Sequence, residues 1–174
     1  MAQIFEENGN LVPVTFVLCA PNTVHFVKEN AVVLGGEKRK KPTKTKKFKV
    51  LREFPKTGEI KKGDEVKVDI FEKNEKVTVV ATSKGKGFTG QVKRHNFAVA
   101  RRTHGTKDPR HGSTGACAMP GRSKPGIKMA GRHGNQKVTL RDREIIVVDP
   151  ARHLVAVKGP IPGAKNGIVL LKKQ

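Results

Sequence analysis

The sequence has no tryptophan and no tyrosine, only 2 cysteines, and 15 acidic residues against 36 Lys and Arg. Each scarcity excludes something. With 8 Phe as the only large aromatics, repeated base stacking of the single-strand-binding kind has little to work with. Cys19 and Cys117 lie far apart and form no CxxC pair, so a reduced, intracellular compartment is the expectation. Long apolar runs are also missing. Leu11–Ala20 is interrupted by Pro13 and Thr15 and falls far below the ~20 residues that a membrane helix needs. Met1–Asn10 carries Glu6 and Glu7 and no basic residue, unlike a secretory leader or an organelle transit peptide.

What is abundant is positive charge. The 174 residues carry a formal charge of +21 and a pI near 10.4. Hydrophobic residues make up only 36%, below the usual 45–50% or so, a count that includes Gly. The length suits one domain, or one with an appendage, and about 150 residues can bury roughly two-thirds of their unfolded surface. The partner implied is a polyanion. An acidic-substrate enzyme rarely needs such an excess, and a membrane surface would want an amphipathic basic helix that is not found.

The charge is concentrated. Lys84–Arg143 holds 15 Lys and Arg against Asp108 and Asp142 alone, a local +13. Glu37–Lys49 holds 8 against Glu37, a local +7, which leaves the remainder at +1. A nearly neutral body with two basic segments is the pattern of a folded platform carrying polyanion-binding arms.

The neutral part reads as β-structure. Leu11–Ala20 closes on the turn residues Pro21 and Asn22, and Val24–Lys28 and Ala31–Leu34 are short β-branched runs. Glu65–Phe71 alternates Val66, Val68 and Ile70 against Lys67 and Asp69, which predicts a half-buried strand, and Lys76–Thr82 follows. Val138–Val148, Leu154–Val157 and Ile168–Leu171 are three further strands between Pro- and Gly-marked turns. One short helix is expected, over Gly90–Phe97. Many short strands without a long 3.6-residue period indicate a small antiparallel barrel or sandwich, and closure would remove exposed edges.

The middle does not read as a domain. Ala98–Lys137 has seven Gly, three Pro and nine Lys or Arg, with only Val99, Met119, Ile127 and Met129 as sizeable apolar groups. That is too little to offset chain entropy. A loop of this length inside a compact domain is functional or disordered, and here it joins strands that must pair, so it reads as an excursion. Lys38–Lys49 stays open between a solvated lysine loop and a second phosphate contact.

Gly85-Lys86-Gly87-Phe88-Thr89-Gly90 satisfies GxGxxG, and Val92 extends it to the kinase glycine-loop pattern. Neither match has its context. A dinucleotide fold needs an apolar helix and a parallel strand next, a kinase needs VAIK, HRD and DFG elements, and Gln91 stands where a Walker motif would continue. The physical content survives in another form: glycines let a backbone approach phosphate closely, and Lys84, Lys86, Lys93 and Arg94 supply charge around it. His95, His104, His111 and His133 do not have zinc-finger spacing, and a Cys117–His nucleophile pair would need a scaffold more rigid than Gly115 and Gly121 provide. Contacts to RNA sugar and phosphate suit these histidines better. A slender Gly-rich, Arg- and Lys-bearing chain can thread between RNA helices.

Thr82–Phe97 (TSKGKGFTGQVKRHNF), His104-Gly105, Gly112-Ser113-Thr114-Gly115, Pro120-Gly121-Arg122 and Lys128–Asn135 (KMAGRHGN) together resemble the large-subunit ribosomal protein L3 family of the bacterial type. Val155–Gly163 (VAVKGPIPG) fits that family's closing hairpin, and Ile4–Val14 its start. The resemblance runs over nearly the whole chain and is densest from Val77 onward. It implies a mainly β fold, a small closed six-stranded translation-protein-like barrel formed by residues 1–97 and 138–174, with an extended RNA-binding loop at 98–137. It further implies a structural constituent of the large ribosomal subunit. The barrel would lie against ribosomal RNA near its 3′ end, beside proteins of the L14 and L19 families, and the loop would reach toward the peptidyl-transferase centre. A role early in subunit assembly follows, in a cytoplasmic or organellar ribosome.

Catalysis there belongs to RNA, so no catalytic residue, metal, cofactor, membrane or small-molecule substrate is expected. The candidate RNA contacts are Lys84, Lys86, Lys93, Arg94, His95, Arg101, Arg102, His104, Arg110, His111, Arg122, Lys124, Lys128, Arg132, His133 and Asn135. There are departures. Family members commonly begin with a further strand of the type IGLVGKKVGM, which implies a barrel short of one edge or a misplaced start. They commonly carry Asp or Asn where Thr78 stands. Ala116-Cys117-Ala118 lacks the Gln that many bacterial members methylate, so that modification is not expected. Glu37–Phe48 looks shortened and rich in lysine.

Overall fold

The computed structural model describes residues 1–6, 8–39, 41–43, 46–56, 58–99, 101, 103–105, 112–115 and 118–173. Its elements, in chain order, are strands β1 (Ala2–Phe5), β2 (Leu11–Leu18), β3 (Asn22–Val27), β4 (Ala31–Lys38), β5 (Phe48–Pro55) and β6 (Glu65–Val66), then a 3₁₀ turn at Val68–Ile70. Strands β7 (Lys76–Thr82) and β8 (Gly87–Thr89), helix α1 (Gln91–His95) and strands β9 (Gly131–His133), β10 (Lys137–Asp149), β11 (Leu154–Lys158) and β12 (Val169–Lys173) complete them. The chain divides into two compact units: Met1–Ala81 with Thr139–Ile161 and Ile168–Gln174, and Thr82–Val138 with Pro162–Gly167.

The first unit holds a six-stranded sheet in the order β1-β2-β11-β10-β7-β12 and a four-stranded sheet in the order β5-β4-β3-β6. Strand alternation explains the core. On β10 the neighbours Ile145 and Ile146 point to opposite faces and enter different clusters. Ile145 packs with Val68, Val77, Val79, Val155 and Val157; Ile146 packs with Val12, Val14 and Ala156. Thus the large sheet is apolar on both faces, and its 0–7% exposed residues are almost all Val and Ile, the types that fit a pleated surface.

The expected closed barrel is not there. The large sheet is open: β1 pairs only with β2 and β12 only with β7 among the described strands. Closure would require these two edges to pair with each other, and among the described strands they do not. On β12, Lys172 lies over the ring of Phe54 on β5, 5.9 Å from its centre.

Glu65–Phe71 also departs from expectation. Only Glu65 and Val66 pair, with Thr23 and Asn22. Then the chain winds, and Phe71 N–H donates to Val68 O at 3.0 Å. In a 3₁₀ turn residues three apart share a side, so Val68 and Phe71 enter the core while Ile70 is left 49% exposed. β5 lay hidden in a lysine-rich stretch. Its Phe48 ring covers Gly35 on β4, where a Cβ would meet the ring at 2.6 Å, and stands edge-on to His25 at 5.4 Å.

Candidate nucleic-acid interface

Among the described residues of the second unit there is no buried hydrophobic side chain; the one buried residue is polar, Gln91 at 7% exposure. Val99, Met119 and Met129 are all exposed. What organises this unit is hydrogen bonding. Ser83 N–H donates to Gln136 O at 2.9 Å, Gln136 N–H to Ser83 Oγ at 3.1 Å, and Lys86 N–H to His133 O at 2.9 Å. These bonds bring the Gly85–Gly90 segment against Gly131–Asn135, where β8 and β9 form a two-stranded ribbon pairing Gly87 with His133, Phe88 with Arg132 and Thr89 with Gly131.

Two glycines make this approach. Gly134 has φ +71°, and a Cβ there would lie 2.1 Å from Lys84 O. Gly87 turns the chain into β8 with φ +68°. The motif therefore serves close backbone approach, and it leads into a five-residue helix, not the long helix of a dinucleotide fold.

Helix α1 clamps the far side. Arg94 Nη1 donates to Met129 O at 2.8 Å, His95 Nε2 to the same oxygen at 3.2 Å, and Gln91 Nε2 to Lys128 O at 3.4 Å. Arg94 and His95, both named as RNA contacts from sequence, are half-buried and hold the return strand in place. Lys84, Lys86, Lys93, Arg101, His104, Arg122, Lys124, Lys128, Arg132 and Asn135 are exposed. Arg102, Arg110 and His111 lie outside the described residues, as does Cys117.

Two grooves result. One, of about 1020 Å³, is lined by Lys86, Phe88, Thr89, Gly90, Gln91, Val92, Lys93, Asn96 and His133. A smaller one, of about 380 Å³, is lined by Phe97, Ala98, Gly112, Ser113, Thr114, Ile127 and Lys128. No acidic side chain lines either. Four candidates named from sequence (Lys86, Lys93, Lys128 and His133) therefore line grooves, while Lys84, Arg101, His104, Arg122, Lys124 and Asn135 do not. Phe88, Thr89 and Asn96 were missed as lining residues; a phenylalanine set between glycines and lysines was the available signal. Of the Lys38–Lys49 segment, Lys38 ends β4, Phe48 and Lys49 open β5, and Lys40, Lys44 and Thr45 lie outside the described residues; Arg39 N–H donates to Lys47 O at 3.0 Å and Lys49 pairs with Glu37. Among the described residues no three His, Cys, Asp or Glu side chains gather as metal ligands, and no helix is long and apolar enough to cross a membrane.

Comparison with known proteins gives the family. The family model described as Ribosomal protein L3 matches residues 44–153, a span that includes the whole glycine-rich ribbon and both grooves. The large ribosomal subunit protein uL3 of Borrelia garinii subsp. bavariensis is 40% identical over 99% of this chain and 94% of its own length. The uL3 proteins of Herpetosiphon aurantiacus and Thermotoga petrophila are 42% and 40% identical, each over 99% of this chain and 92% of their own. The chain belongs to the ribosomal protein L3 family.

Proposed function

We propose that this chain is a structural, non-enzymatic constituent of the large ribosomal subunit, and that it binds large-subunit ribosomal RNA through the basic second unit. One observation carries the reading: a segment dense in exposed cations has, among its described residues, no buried apolar side chain. Such a unit has little of its own to hold it rigid, and a polyanion supplies both the counter-charge and the missing contacts. The sheet unit anchors. Residues 98–137 are the arm that reaches toward the peptidyl-transferase centre, and the sheet unit contacts RNA near its 3′ end and neighbours of the L14 and L19 families, early in assembly. The membership in the L3 family supports these placements.

The test is a salt titration with large-subunit RNA fragments. With about 6–10 phosphates contacted, affinity falls roughly 10³–10⁵-fold between 50 and 200 mM salt. An affinity nearly independent of salt rejects the reading. A nucleotide-binding enzyme built on Gly85–Gly90 would instead show a thermal shift on nucleotide titration; none is expected.

A further inference from the structure

The exposed ring of Phe88 is the least expected feature of the second unit. It is 82% exposed on a ribbon beside a groove whose other lining side chains, Val92 aside, are polar or cationic. In the β8–β9 register it stands directly opposite Arg132, and cross-strand partners of this kind share a face. Lys86, Lys93, Asn96 and His133 line the same groove as the ring, with no carboxylate among the lining residues. An apolar ring ringed by donors and positive charge suits a ligand that combines a flat π-face with an adjacent anion.

We propose that this groove receives a single unpaired nucleotide of the RNA, its base on the Phe88 ring and its phosphate against Lys86 and Lys93. The inference rests on the RNA-binding reading above and deepens it. A base inside an A-form helix has both faces covered by its neighbours, so only a bulged or looped-out nucleotide can offer one to the ring. Base–aromatic stacking tolerates any base; Asn96 and His133 add hydrogen-bonding groups at the groove wall. Because Phe88 is so exposed, truncating it takes nothing from a core.

Two RNA duplexes of closely matched length, one fully paired and one with a single bulged 5-iodouridine, separate the outcomes. Binding is read by anisotropy across a salt series. The full-length protein should favour the bulged RNA by about five- to a hundredfold. Phe88→Ala should erase that preference while leaving the salt slope unchanged, since no phosphate contact is lost; Phe88→Trp should keep it. Lys86→Gln and Lys93→Gln should each lower the slope by about one. Long-wavelength irradiation should cross-link the bulge to the peptide carrying Phe88. A wild-type protein without preference, or a Phe88→Ala variant that keeps it, overturns the inference and leaves the RNA-binding reading standing. Failure of the wild type to bind either RNA overturns both.

Discussion

At the scale of single residues, Glu75 shows how the sheet unit fixes an edge strand by charge. Its carboxylate accepts from Lys173 Nζ at 2.9 Å and from Glu72 N–H at 3.1 Å. Burial alone would raise its pKa, but the Lys173 hydrogen bond, the Glu72 amide and the lysine charge together hold it below 4.5. A carboxylate depressed by folding contributes stability that is full above its unfolded value and is lost as pH falls through the folded one. The stability gap between wild type and Glu75→Gln should therefore be present at pH 7 and close in acid below about pH 4.5, as followed by urea midpoints. Cys19 is opposite in kind: burial pushes its thiol up to about 11, so its peptide should resist alkylation at pH 8 until denaturant opens the sheet. Gly134 is the third case. Alanine there would place its Cβ 2.1 Å from Lys84 O at φ +71°, a strain of about 1–3 kcal/mol or more, and binding of large-subunit RNA fragments, read by anisotropy, should weaken by about fivefold or more.

Elements differ in how plainly the sequence announces them. Lys76–Thr82 was legible residue for residue, because Val77, Thr78, Val79 and Val80 form an unbroken β-branched run, in which Val77 and Val79 end up fully buried. Helix α1 was legible in place but not in extent: Gly90–Phe97 was expected, and only Gln91–His95 winds, with Gly90 before it and Asn96 in the left-handed conformation after it. β5 was not, because lysines on its approach dilute an alternating pattern whose burial depends on Phe48 finding Gly35 across the hairpin. Nor was the winding after Val66, since alternation cannot tell a strand from a turn that uses every third residue. Openness of the large sheet is set by which distant edges meet, and local pattern carries no such information. The groove followed the same rule: its lysines were visible as charge, whereas the pairing of Phe88 with Arg132 required a ribbon that only the fold reveals. The strand cores themselves give a firm expectation. Ile145 is fully buried between β7 and β11 neighbours, so Ile145→Val should cost about 0.5–1.5 kcal/mol and Ile145→Ala about 2–5 kcal/mol, read from denaturant midpoints.

For the whole molecule, the decisive contrast is between a unit with two apolar clusters and a unit with none among its described residues. Charge follows that division closely: Lys84–Arg143 alone carries +13 of the total +21. Removing charge at Arg122, Lys128 and Arg132 should impair subunit assembly more than removing three lysines between Lys38 and Lys49, where Lys49 is already paired with Glu37; sedimentation profiles of the two triple variants decide the ranking. Hydrogen exchange tests the central claim most directly, by following the amides of Lys86, Arg94 and Asn135 alongside those of Val79 and Val155 in the free protein and in the assembled large subunit. The account predicts fast exchange at the first three in the free protein, strong protection of them in the subunit, and slow exchange at Val79 and Val155 in both. Protection of Lys86, Arg94 and Asn135 in the free protein equal to that of the sheet core would contradict it.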